Sequence, residues 1–241
     1  MIALVGSELL KLRTLRSTAW AALALLAIAL LTSGLALGDA GEKNLRTPQE
    51  LRDTILAVGY AAVFFLAVMG AIAAAGEYRH RTISQRFLVN PARHRVLIAK
   101  LAAYALVGIG TALVITAISA ALGEAVVSSK GFTLDLADGG LRMTAGIVLA
   151  TAFAGMLGVV VGAITRNPTT AMVTIFGVWI AGKIVGDWIG EAAQYLPFSL
   201  LENVLGLGEG IAWGYAALAL IATTAALGIV AQRVFVQRDV T

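Results

Sequence analysis

The chain has 241 residues, of which 59% are hydrophobic and only 13% charged, with a net charge of +4 and no cysteine. Soluble domains carry about twice that share of charge, so an ordinary soluble globule is excluded, as are disulfide and thiol chemistry. The basic pI of 9.6 raises nucleic acid as a partner, but the cations flank apolar runs rather than gathering on one solvated face, which argues against it.

In chain order, residues 1–16 place Ile2, Leu4, Val5, Leu9, Leu12 and Leu15 among Glu8, Lys11, Arg13 and Arg16. That pattern predicts a short amphipathic helix lying in a membrane interface. Uncharged runs follow: Ser17–Gly38 (22 residues), Thr54–Gly76 (23), Leu101–Gly123 (23), Met143–Thr165 (23) and Gly210–Gln232 (23), with a shorter one of 16 residues, Asn167–Gly182, continuing past Lys183. About 20 apolar residues cross a bilayer as a helix, so the expectation is an all-α integral membrane protein with six spans, near 18–38, 54–76, 100–123, 143–165, 167–186 and 210–232, forming one transmembrane domain over 1–241. Basic residues before the first run and Ala36-Leu37-Gly38 after it resemble a signal peptide; the run is long enough to span and is read as an uncleaved first helix.

Orientation follows the cations, which are enriched in cytoplasmic loops. With six spans, both termini and the second and fourth loops share one side, holding twelve Lys and Arg against Glu8, Glu77 and Asp239, a net +9. The other side carries −5. Both termini are therefore expected in the cytoplasm, with the cations also attracting anionic membrane lipid.

Among the connections, Thr47-Pro48-Gln49-Glu50 reads as a helix start. Arg166-Asn167-Pro168 is a turn so tight that the fourth and fifth spans must form an antiparallel hairpin. Gly158 and Gly162 on the one, and Gly182, Gly186 and Gly190 on the other, have the four-residue spacing that lets helices approach closely in lipid. Residues 188–209 are apolar and aromatic but broken by Glu191, Pro197 and Glu202, which fits short helices dipping into the outer leaflet or an external loop.

Catalytic chemistry is not legible. Gly177-x-x-x-x-Gly182-Lys183 matches much of a phosphate-binding loop, but Ile184 stands where a magnesium-holding Ser or Thr is needed, and the motif lies inside an apolar run. The two histidines sit among arginines, which disfavour a metal cation. Lys183, within the fifth run, has Asp187 one turn on as an ion-pair partner.

The stretch 76–100, GEYRHRTISQRFLVNPARHRVLIAK, carries six cations and is longer than a topology signal requires. Nothing breaks a helix from Glu77 to Phe87, where Ile83 and Phe87 share a face, and Asn90-Pro91 then stops it. Gly76-Glu77-Tyr78-Arg79-His80-Arg81-Thr82, followed by Phe87-Leu88, Pro91-x-Arg93-x-Arg95 and Lys100, resembles the connection between the second and third spans of type 2 ABC transporter permeases, with Arg81 where those proteins often have Gly. The N-terminal Glu8-x-x-Lys11 pattern belongs to the same resemblance.

The resemblance implies the membrane half of an ATP-driven exporter of hydrophobic or amphipathic substrates (drug, lipid or peptide) in a bacterial-type plasma membrane. It implies two separate cytoplasmic ATPase subunits holding ATP and magnesium, no cofactor in this chain, and a second permease copy, identical or related. Carried over, Glu77, Tyr78, Arg79, Thr82, Ile83, Arg86, Phe87 and Pro91 would form a coupling helix within 77–95. Phe153, Phe176 and Trp179 are candidate substrate-path residues. An ion-coupled transporter and a non-transporting membrane scaffold or immunity protein are the alternatives.

Overall fold

The computed structural model describes residues 1–14, 20, 23–24, 27–28, 30–31, 59–79, 92–129, 140–205 and 211–237. Those residues contain helices and no strand. The helices are α1 (Ile2–Thr14), α2 (Gly59–Arg79), α3 (Arg93–Ser129), α4 (Gly140–Thr165), α5 (Pro168–Ile189), α6 (Pro197–Leu205) and α7 (Trp213–Gln237), with a 3-10 turn, Gly190–Tyr195, before α6. Four stretches are long and apolar enough to cross a membrane: Ala62–Arg79, His94–Leu122, Gly140–Thr165 and Trp213–Arg233; Pro168–Gly182 is a shorter apolar helix. Helix is the form that satisfies every backbone polar group within one segment where water is absent. The first predicted span, near 18–38, lies mostly outside the described residues, as does the loop around Thr47-Pro48.

α4 is the hub. Its residues from Gly146 to Ala163 are mostly buried, and they are mostly small: Ala150, Thr151, Ala152, Ala154, Gly155, Gly158, Gly162 and Ala163. Small side chains let a neighbour's backbone come close, which is the main source of association between helices in lipid. At Gly158 a Cβ would run into the Ala67 carbonyl of α2, and at Gly162 into that of Ala71. The close-approach face of α4 is thus turned to α2. The hairpin reading assigned that face to the fifth span, where Gly182 has nothing nearer than Leu196 Cδ1 at 3.8 Å and Gly190 meets nothing within 4 Å. The complementary stripe is on α2, where Ala67, Ala71 and Ala75 repeat every four residues and are buried. On another side, Gly108 of α3 lies against the Thr151 and Ala152 backbone of α4; the Thr151 hydroxyl is 2.7 Å from the Ile147 carbonyl of its own helix and 3.1 Å from the Gly108 carbonyl.

The tight connection from α4 to α5 has a definite build. Arg166 donates its N–H to the Gly162 carbonyl at 2.9 Å, closing the last turn, and adopts φ 57, the left-handed conformation that helix ends usually give to glycine. Asn167 caps α5 by accepting from the N–H groups of Thr169 (2.9 Å) and Thr170 (3.3 Å), and Pro168 takes the first helical position, where its missing N–H costs nothing.

Residues 190–205 fold back onto the bundle. Leu200, Leu201, Val204 and Leu205 of α6 are buried. The Val204 carbonyl abuts Gly146, which is six residues, or about 9 Å, in from the start of α4. Because it lies in the last turn of α6, that carbonyl has no partner within its helix; the indole N–H of Trp213 donates to it at 3.0 Å.

Candidate functional site at the linked ends of α1, α2 and α3

α2 ends at Arg79 and α3 begins at Arg93, so the two helices are the roots of the segment 80–91. α3 has 37 residues, about 55 Å of helix against a hydrocarbon core of about 30 Å. Its first turns, up to Lys100, therefore extend beyond an apolar span and can carry charge.

Those turns meet α1 and α2 in a four-charge cluster. Lys100 Nζ lies 3.0 Å from Glu8 Oε2 and 2.9 Å from Glu77 Oε1. Lys11 Nζ contacts the same Glu77 oxygen and lies 3.5 Å from Glu8 Oε1. In these contacts two carboxylates and two ammonium groups alternate. The side chains of Glu8, Lys100 and Glu77 are only 4%, 6% and 11% exposed, while Lys11 is 35% exposed. The floor beneath is apolar, made by Leu12, Ala74, Leu97, Tyr104, Val159, Val160, Ala163 and Ala231. Desolvated charges of this kind hold only with several well-placed partners, and removing one leaves another buried without compensation. In α1, Glu8 and Leu12 face inward together while Ile2 and Leu10 are exposed.

The next residue of α2 makes a different link. The Tyr78 ring lies under the Arg166 guanidinium, 4.9 Å from carbon to ring centroid, inside the range of a cation–π contact. Arg79, the last residue of α2, is exposed.

Of the predicted coupling residues, Glu77, Tyr78 and Arg79 therefore stand together at the end of α2. Thr82, Ile83, Arg86, Phe87 and Pro91 lie outside the described residues. Glu77 does not present its carboxylate to an open surface: the ammonium groups of Lys11 and Lys100 enclose it. Among the predicted path residues, Phe176 and Trp179 on α5 flank Phe64 on α2, with ring centroids at 4.7 Å (edge-on) and 5.5 Å (tilted). Phe153 is half-buried against the same core as Phe64. The Lys183 and Asp187 side chains are outside the described part. No cluster of metal-ligating side chains occurs among the described residues.

Sequence reasoning placed Glu8 and Lys100 in the same resemblance as Glu77 but did not pair them with it. Their signal was available as the rare charges that fall next to or within apolar sequence, which demand a partner, but nothing in the linear order pairs positions 92 residues apart.

No curated protein matches the chain. Residues 2–186 match the family described as ABC-2 type transporter, a stretch that takes in α1 to α4, the charged cluster and most of α5. The chain belongs to the ABC-2 type transporter family, as a membrane subunit of an ABC transporter.

Proposed function

We propose that this chain is the permease of an ATP-driven exporter that moves a hydrophobic or amphipathic substrate out of the cytoplasm. The observation that carries this reading, beyond family membership, is the buried cluster of Glu8, Lys11, Glu77 and Lys100. It ties both roots of the segment 80–91 to each other and to α1, as a segment that receives mechanical input requires. Six spans complete the layout, the region 18–38 and α5 joining the four long apolar helices, with both termini and the 80–91 segment in the cytoplasm. The 3-10 turn and α6 dip into the outer leaflet, since α6 meets α4 well inside its first turns.

Two cytoplasmic ATPase subunits, which hold ATP and magnesium, dock on Tyr78, Arg79, Thr82, Ile83, Arg86 and Phe87, with Pro91 ending the docking helix. Glu77 fixes that helix to the bundle. A second permease copy, identical or related, completes the path, and Phe176 and Trp179 with Phe153 line its wall. The membrane is a bacterial-type plasma membrane.

The test is co-expression with ABC ATPase subunits from the same locus. The ATPase should co-purify with this chain, and its hydrolysis rate should change when the two are reconstituted together. In the same preparation, single cysteines at positions 85 and 45, clean because the chain has none, should label from the cytoplasm and from outside, respectively. Failure to co-purify overturns the ATP-driven reading; reversed labelling overturns the orientation.

A further inference from the structure

The end of α2 is held by two unlike contacts on successive residues. Glu77 joins it to α1 and α3. Tyr78, about 100° further round the helix, joins it to the turn that opens α5. The residue making that second contact, Arg166, occupies a left-handed backbone position, φ 57, which disfavours a side chain and suits glycine. An arginine held there against the backbone preference uses its long side chain to reach the Tyr78 ring.

α5 also has freedom to respond. Val173, Val178, Ile180 and Ile184 are exposed. No glycine of α5 among those with described surroundings makes the close backbone contact that locks α2 to α4: Gly177 meets nothing within 4 Å, and Gly182 only a leucine methyl at van der Waals distance. Its contacts with α2 include two at separate heights, Tyr78–Arg166 at the turn and Phe64 with Phe176 and Trp179 further up. Edge-on and tilted ring contacts tolerate small rotations, since several arrangements of an aromatic pair are close in energy.

We infer that Arg166 is a positioning residue which delivers movement of the α2 end to α5, so that the Phe176 and Trp179 wall shifts when the 80–91 segment is pushed. This rests on the permease reading above. Tyr78 moves with the segment it precedes. Arg166 follows Tyr78, and α5 pivots at the turn, where a strained backbone torsion absorbs the change. The ion cluster keeps α1, α2 and α3 together during the stroke, while α5 tilts.

The experiment uses the permease–ATPase complex in lipid nanodiscs, with spin labels on cysteines replacing Leu113 of α3 and Val173 of α5, both more than half exposed. Electron–electron distances are recorded without nucleotide and with ATP and vanadate, together with ATP hydrolysis and thermal stability. Nucleotide should shift the 113–173 distance in the otherwise unaltered complex. Arg166→Gly should lose that shift while retaining hydrolysis and stability, because glycine suits this backbone position and a merely structural turn would be preserved by it. Arg166→Lys and Tyr78→Phe, which keep a cation and a ring face, should retain the shift, and Tyr78→Leu should lose it. A full shift in Arg166→Gly overturns the inference, as does an active complex in which α5 does not move at all. A complex whose ATPase neither binds nor responds to this chain overturns the permease reading, and the inference with it.

Discussion

The charged cluster makes a quantitative prediction, because its two lysines differ in burial. Lys100 touches both carboxylates and is almost fully buried, whereas Lys11 touches the same two but is one-third exposed. Lys100→Met takes from Glu8 and Glu77 the more buried of the two lysines that contact them both. Breaking a buried pair in this way costs about 3–5 kcal/mol. Lys11→Met leaves the more buried cation to bridge both acids, and solvent can reach the vacated side, so the cost falls toward the roughly 1 kcal/mol of an exposed pair. For a protein of this size each kcal/mol moves the melting temperature by about 2–4 °C. The expected ordering is therefore a drop of about 6–20 °C for Lys100→Met against only a few degrees for Lys11→Met. Melting of the purified protein in detergent, followed by intrinsic tryptophan fluorescence, reads both. The double substitution Glu8→Gln with Lys100→Met removes both members of one direct contact and should be less damaging than the sum of its two singles by about 1–3 kcal/mol. Equal losses for the two lysines, or strict additivity in the cycle, would refute the account of the cluster as a coupled, desolvated unit.

Three further predictions follow from contacts in the spans. Gly158→Val places a branched side chain against the Ala67 carbonyl, so it should abolish a monodisperse peak in size-exclusion chromatography, whereas Gly228→Ala, which meets open space, should stabilise α7 by up to about 1 kcal/mol through helix propensity. Thr151→Val keeps shape but removes a hydroxyl whose nearest acceptor is the Ile147 carbonyl of its own helix, with the Gly108 carbonyl second; a cost of no more than about 0.6 kcal/mol is expected in a melting series, the average for an interhelical bond in membranes. Trp213→Phe removes the indole donor to Val204 and should raise amide exchange in α6 while leaving exchange in α4 at its original rate.

How far the fold could be read beforehand differs from element to element, and the differences have physical causes. The N-terminal helix announced itself by alternating apolar and charged positions, and the long spans by uncharged length. The spacing of Gly158 and Gly162 showed that α4 has a close-approach face but could not say which helix uses it. Chain proximity pointed to α5 across a two-residue turn; the matching stripe Ala67, Ala71, Ala75 on α2 was in view and decides it, because a smooth face packs best against another smooth face. At the site, Glu77 was identified as a boundary residue of interest from the resemblance alone. Its partners are set by three-dimensional assembly: Glu8 and Lys11 share a face of α1 by helical spacing, but that this face meets Lys100 depends on where α1 lies. The link between Tyr78 and Arg166 was less visible still, since neither residue is unusual until the backbone angle at Arg166 is known.

These contacts also divide the molecule into parts that can move and parts that cannot. Where a glycine Cα lies under a neighbouring carbonyl, as at Gly158 and Gly162, even one methyl group of extra bulk cannot be fitted, so sliding that passes a side chain over the site is blocked. α2 and α4 are thereby one body, and the close approach of Gly108 to the Thr151 and Ala152 backbone adds α3 to it. The ion cluster adds α1 at one end, and the Val204 carbonyl against Gly146 adds α6 at the other. What remains are α7, which the Trp213 indole joins to the Val204 carbonyl of α6, and α5, which shares side-chain contacts with this body and exposes much of its apolar surface. Bistability in a packed protein resides where contacts can be exchanged without opening a void, and ring-on-ring contacts of Phe64 with Phe176 and Trp179 meet that condition while the glycine contacts do not. On the coupling proposed above, a push delivered to the end of α2 would pass through this unit to the boundary with α5.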